Sequence, residues 1–275
     1  MSINTITDNG YNENKLGIEF LNKKIYDISE KLFKISEEKK YISSTLNLAM
    51  LYHQTQKYEL AETYCLKFIS DYNNTNINLN LNLNLNLNKN IYLGKAFNLL
   101  GNIYYNLKEY NLSREYYFKS IDKEYYESYY SLGCIYCKLF DYNNAIKYYS
   151  LSIDNNFHNS YRNLGIIYDI LNNYKMSKKM YKLAIQHNNE IALLNLGNLY
   201  VKYHKYNKAE KCYMKLIKTN NELGIDKLEL LNKKRTYYLL SDIENKNENV
   251  ENKLKKIKLE HPYLHCGNIL YTIYK

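Results

Sequence analysis

The chain has 275 residues, of which 38 are basic and 28 acidic, giving a formal net charge of +10. No stretch approaches 18 consecutive apolar residues, so a membrane span is not expected. The five cysteines, Cys65, Cys134, Cys137, Cys212 and Cys266, are odd in number and irregularly spaced, which argues for reduced thiols in an intracellular, cytoplasmic protein and against a disulfide framework.

The start, Met1-Ser2-Ile3-Asn4-Thr5, is polar and lacks the apolar run of a signal peptide, and residues 1–12 read as a flexible N-terminus. Gly17 then opens a pattern with Phe20, Tyr26, Ser29 and Phe33. The pattern returns at Ala49, with Leu48, Tyr52, Tyr58, Ala61, Cys65 and Ile69 in phase. Residues 74–90 interrupt it with alternating Asn and Leu. Period two fits a strand with one apolar face, but low complexity and position favour an expanded, loosely ordered loop.

Four Leu-Gly pairs follow at one fixed interval: Leu100-Gly101, Leu132-Gly133, Leu164-Gly165 and Leu196-Gly197. Their numbering sets a period of 32, the same step that separates Gly17 from Ala49. A fixed period of this length marks stacked repeats, none of which buries its apolar face alone. Nine positions after each glycine stands a tyrosine, and twelve after it a small residue: Ser113, Ala145, Ser177 or Ala209. Sixteen after it stands another tyrosine: Tyr117, Tyr149, Tyr181 or Tyr213. These offsets fall on one stripe of each of two helices, joined by turns short enough to make them antiparallel. Most of the 34 tyrosines are thereby assigned to packing. Residues 220–275 leave the frame. Leu228 to Ile243 and Val250 to Glu260 read as helices, Pro262 breaks the chain, and the segment is expected to cap the stack.

An aromatic residue, Leu-Gly, Tyr, Tyr, Ala/Ser and Tyr at these offsets resembles the tetratricopeptide repeat, over roughly residues 13–219. Two departures stand out. The period is 32 rather than the family's usual 34, and the family's proline near the end of the second helix is absent. The resemblance implies an all-α, right-handed solenoid of about six helix-turn-helix repeats with a C-terminal helical cap.

Little else carries chemistry. Cys134-Ile135-Tyr136-Cys137 is a C-x-x-C with no second pair, and it lies within a helix. His261, His265 and Cys266 lack a fourth ligand, so no metal site is assigned. No phosphate loop, nucleophile elbow or paired-carboxylate motif is present, so no cofactor is assigned and the chain does not read as an enzyme.

Binding residues are sought where the repeats differ from one another on the first helix. Those positions hold Lys95, Asn98, Asn102 and Asn106, then Tyr130, then Arg162 and Ile166, then Leu194, Asn198 and Lys202. In tetratricopeptide proteins these offsets line the concave groove, so the resemblance implies a groove of mixed character. Its amides suit a peptide backbone, its cations suit carboxylates, and its apolar side chains suit apolar ones. The Lys/Asn/Lys/Arg set with which some members clamp a C-terminal carboxylate is not met. The function expected is a scaffold or adaptor for a peptide or protein partner, with no membrane role. The lysine excess supports an alternative, nucleic-acid binding through a basic surface.

Overall fold

The computed structural model describes residues 9–74, 85–219 and 222–246. Thirteen helices and no strand occur among them. Six antiparallel pairs come in chain order: α1 (Tyr11–Asn22) with α2 (Tyr26–Glu38), α3 (Ile42–Gln54) with α4 (Tyr58–Asn74), and α5 (Leu85–Asn106) with α6 (Tyr110–Ile121). Next are α7 (Ser128–Lys138) with α8 (Tyr142–Asp154), α9 (Ser160–Ile170) with α10 (Tyr174–Gln186), and α11 (Ile191–Lys202) with α12 (Tyr206–Ile217). The last helix, α13 (Glu222–Lys246), packs on α12. The chain divides into two compact units, Met1–Phe157 and His158–Lys275. The architecture is the all-α solenoid of helix-turn-helix repeats that the sequence period predicts.

Two boundaries differ from the sequence expectation. Helix α1 begins at Tyr11, inside the segment read as a flexible N-terminus. There Gly10, at φ 79°, accepts a 2.7 Å hydrogen bond from Ser36 Oγ through its carbonyl. Helix α5 begins at Leu85, inside the Asn/Leu segment read as a loop. Leucine is a good helix former and neither Gly nor Pro interrupts residues 85–93. A helix nucleated in the packed repeat therefore propagates backwards at little cost. Residues 75–84 lie outside the described residues, as do Val250 to Glu260, Pro262, His261, His265 and Cys266.

The two helices of a pair meet at the glycine. A Cβ at Gly133 would lie 2.6 Å from Tyr149, and one at Gly165 2.5 Å from Tyr181. Gly101 and Gly197 face Tyr117 and Tyr213 in the same way, and Gly17 faces Phe33, always at the same sequence offset. The ring thus fills the space a side chain would need, and the backbones close up around it. The exception keeps the rule. Where the glycine position holds Ala49, the ring position holds Cys65, and both are fully buried. A larger residue on one side is matched by a smaller one on the other. At two of the three serines that hold the small position of the second helix, the hydroxyl donates across the crossing to the glycine carbonyl, whereas Ser177 Oγ is buried with no partner among the described residues. The two bonds are Ser29 to Gly17 at 2.9 Å and Ser113 to Gly101 at 2.7 Å.

The turns share one geometry. Lys24, Lys40 and Gln56, then Lys108, Glu124, Phe140, Asn156, Asn172, Asn188 and His204, all have φ between 55° and 70° and recur at an even step in each run, half the repeat period. After each, an amide donates back to a carbonyl of the preceding helix, as Ile25 does to Phe20 and Lys205 does to Tyr200. This is the closing bond of a left-handed helix cap. Because the left-handed residue recurs at the same step within and between repeats, although the connections after α6, α8 and α10 are longer, the period is twice that step. None of these positions is glycine, although left-handed φ costs an L-residue about 1–2 kcal/mol.

This packing sets two expectations for stability. Cys65→Phe should cost about 1–3 kcal/mol by overpacking against Ala49. Ala49→Gly should restore part of it, with a coupling of about 1 kcal/mol in a double-mutant cycle followed by urea unfolding. Additive effects would show that the two positions do not share one volume. Phe140 is 77% exposed in its left-handed turn. Phe140→Gly should therefore raise stability by about 0.5–1 kcal/mol, the relieved strain exceeding glycine's unfolded-state entropy. A lowered melting temperature would count against this.

Candidate functional site

The crossing that builds the core also delivers polar groups to the first helices. Each tyrosine ring at the crossing ends in a hydroxyl, and in three of the four repeats that hydroxyl reaches the residue just after the glycine. Tyr117 donates to Asn102 Oδ1 at 2.7 Å, and Tyr213 donates to Asn198 Oδ1 at 2.8 Å. Tyr149 donates to Cys134 Sγ at 3.3 Å. The remaining repeat of this set carries Ile166 there. The repeat pattern assigns these tyrosines to packing and misses this second role. Its signal in the sequence is the polar residue at that offset in the other three repeats.

In the first unit, the candidates fall into distinct environments. Asn98 is buried; its Nδ2 donates to Ser128 Oγ at 2.8 Å and its Oδ1 accepts from Asn102 at 3.2 Å. It joins α5 to α7, its amide bonded on both sides within the fold. Asn106 is exposed, with Nδ2 3.0 Å from His53 Nε2 on α3, and burial lowers the pKa of that histidine. Lys95 is exposed, its ammonium 5.5 Å from the centroid of the Tyr92 ring. Tyr130 is half-buried and meets Tyr149 edge-on at 5.7 Å. Cys134 and Cys137 are free thiols whose pKa values are raised by burial.

In the second unit, Arg162 lies close enough to Tyr181 for its charge to act on that phenol, and the other candidates lie on the neighbouring helices. Ile166 and Leu194 are half-buried and pack against the core of α10–α12. Asn198 is exposed, and with Oδ1 held by Tyr213 its amide is oriented. Lys202 pairs with Asp169 of the preceding repeat at 2.8 Å, a partner the sequence did not single out. Arg162 is half-buried, and its Nε is enclosed with no hydrogen-bond acceptor among the described residues. Burial raises the pKa of Tyr181 to about 12; the Asp169 charge adds to the rise and Arg162 opposes it. One unit thus holds a half-buried guanidinium, an ion pair and an oriented amide together with two half-buried apolar side chains. No group of three or more metal-ligating residues occurs among the described residues. No described helix is long and apolar enough to cross a membrane.

The sequence pattern of one family, described as tetratricopeptide repeat, matches residues 43–70, 94–122, 126–159, 158–190 and 191–222. No curated protein matches the chain. Several solved structures are similar. Pseudomonas aeruginosa PilF aligns with a TM-score of 0.60 at 14% identity, over 81% of this chain and 97% of its own. The APC/C Cut9–Hcn1 hetero-tetramer aligns at 0.60 and 14%, over 82% of this chain and 44% of the other. A tetratricopeptide repeat protein from Parabacteroides merdae aligns at 0.55 and 16%, over 91% and 98%. At such identities the likeness is one of fold.

The buried tyrosines set an alkaline limit. Burial raises Tyr52, Tyr181 and Tyr213 from 10.0 to about 12. The neutral phenol is the form the fold favours, so this contribution is fully present below pH 10. It is lost as pH rises from 10 through about 12. Tyrosinate absorbance should show exposed residues titrating first, then a cooperative step coincident with loss of helical circular dichroism. A single smooth titration with helicity retained would contradict the burial.

Proposed function

The chain belongs to the tetratricopeptide repeat family, and on that premise we propose that it is a scaffold holding a peptide segment or partner protein on the open face of its first helices. Repeats of this family are typical of protein–protein interaction scaffolds and are generally non-catalytic. The observation that carries the reading is the cluster in the second unit. Arg162 brings a half-buried guanidinium, Asn198 an oriented amide, and Ile166 and Leu194 an apolar floor, with the Lys202–Asp169 ion pair completing the set. An extended peptide needs this combination: amide bonding for its backbone, an apolar contact for one side chain, and a cation for an acidic one. In the first unit Asn102, Asn106, Lys95 and Tyr130 supply a more neutral surface of the same kind. Asn98, spent within the fold, takes no part.

Random peptides displayed on phage and selected on the full chain should enrich a family that binds with Kd on the order of micromolar. Arg162→Glu combined with Asn198→Ala, in a protein with native helicity, should weaken those peptides at least about tenfold. Peptides that bind both proteins equally would place recognition elsewhere.

A further inference from the structure

The net charge is unevenly divided. Residues up to Phe157 include 17 basic and 17 acidic side chains, whereas those from His158 onward include 21 and 11. The whole excess of +10 lies in the second unit. Within it, the second helices carry many of the lysines. Lys175, Lys178, Lys179 and Lys182 lie on α10, which has no acidic residue. Lys208, Lys211 and Lys215 lie on α12, whose single carboxylate, Glu210, is bound by Arg235 of α13 at 2.8 Å.

Lysines from the two helices come near one another at both ends. Burial pushes the Cys212 thiol up to about 11, and the charges of Lys215 and Lys182, one from each helix, pull against that rise. At the other end, Lys205 before α12 and Lys178 on α10 both stand over Tyr174, at 3.9 and 5.5 Å from its ring centroid. None of the seven helix lysines has a carboxylate within ion-pair distance among the described residues. By contrast, several lysines of the first unit are paired: Lys34 with Glu30, Lys67 with Glu37 and Lys119 with Glu115. Solubility alone gives no reason to gather so many uncompensated charges on one pair of helices.

We infer that the lysine faces of α10 and α12 form a second interaction surface, which docks the phosphodiester backbone of a duplex nucleic acid without reading its sequence. The chemistry favours this partner over the other polyanions. Lysine acts as a point charge well suited to phosphate oxygens, whereas recognition of carboxylates in an acidic peptide favours the arginine fork. Membrane-adsorbing helices expose large apolar side chains beside their lysines. The large apolar side chains left exposed in the described part of this unit lie on α9, α11, α13 and the turn after α9, and none lies on α10 or α12. The face offers no arginine for base edges, so binding is electrostatic and indifferent to sequence.

The test is fluorescence anisotropy of the full chain with labelled duplexes of about 20 base pairs in two unrelated sequences, long enough to span the phosphates such a face would contact. Contact with about seven phosphates makes affinity fall roughly 10³-fold or more between about 50 and 200 mM salt, equally for both sequences. The combined variant Lys179→Gln, Lys182→Gln, Lys211→Gln and Lys215→Gln should weaken binding at about 100 mM salt at least about 100-fold and roughly halve the salt slope. A control variant, Lys31→Gln, Lys40→Gln, Lys57→Gln and Lys147→Gln, changes exposed residues of the first unit, removes the same charge and should bind nearly as wild type. Equal losses in the two variants would overturn the proposal. So would no measurable duplex binding, or stronger binding to phosphatidylserine vesicles or polyglutamate than to the duplex.

Discussion

At the crossing of each helix pair, the second helix places a side chain where the first has no room for a Cβ, and the two volumes are shared. Gly133 with Tyr149, Gly17 with Phe33, and the Ala49 and Cys65 positions are three solutions of one packing sum. Close approach follows from it, and with it the serine hydroxyls that bond across to the glycine carbonyl. The same contact sets the reach of the tyrosine. Its ring is anchored at the glycine, so its hydroxyl arrives at the following position of the first helix, where Asn102, Cys134 and Asn198 receive it. Core and surface are therefore coupled in this fold. A change at the crossing displaces a polar group on the face that we assign to partner binding.

Uniform turns extend that local rule along each unit. A left-handed residue at each evenly spaced turn closes each helix with the same backward hydrogen bond, which holds successive crossings in register. The cost of these conformations in Lys, Gln, Glu, Phe, Asn and His is spread over many turns. Nearest-neighbour packing offsets it, as expected where a repeat's stability comes mainly from its neighbours.

Onto this regular frame the chain writes two kinds of irregularity. The first helices vary in hydrogen-bonding character and size, and the second helices vary in charge. In the second unit these irregularities occupy different helices: the mixed set of candidates draws on α9 and α11, while the unpaired lysines occupy α10 and α12. Separate helices allow separate partners. On the two proposed readings, a polyanion at the lysines and a peptide on the first helices would engage different elements of one unit.

The sequence by itself determined the helix pairs, their number and their crossings. A regular recurrence of glycine, small residue and tyrosine admits one packing arrangement, and the same recurrence carries the family's fold. It also located the turns, by spacing and not by composition, since no glycine marks them. Tertiary structure decided what each variable residue is free to do. Asn98 and Asn198 are the same amide at different offsets on the first helix, yet a serine on the next repeat buries one and a tyrosine hydroxyl orients the other. Lys202 reads as a free cation until Asp169, on the preceding repeat, is brought within 2.8 Å. Likewise, Leu85 to Asn90 read as loop by composition and fold as helix because the packed repeat behind them supplies the nucleus. Periodicity reports what repeats, whereas a site is made by what does not repeat, and its partners are set only when distant segments are packed side by side.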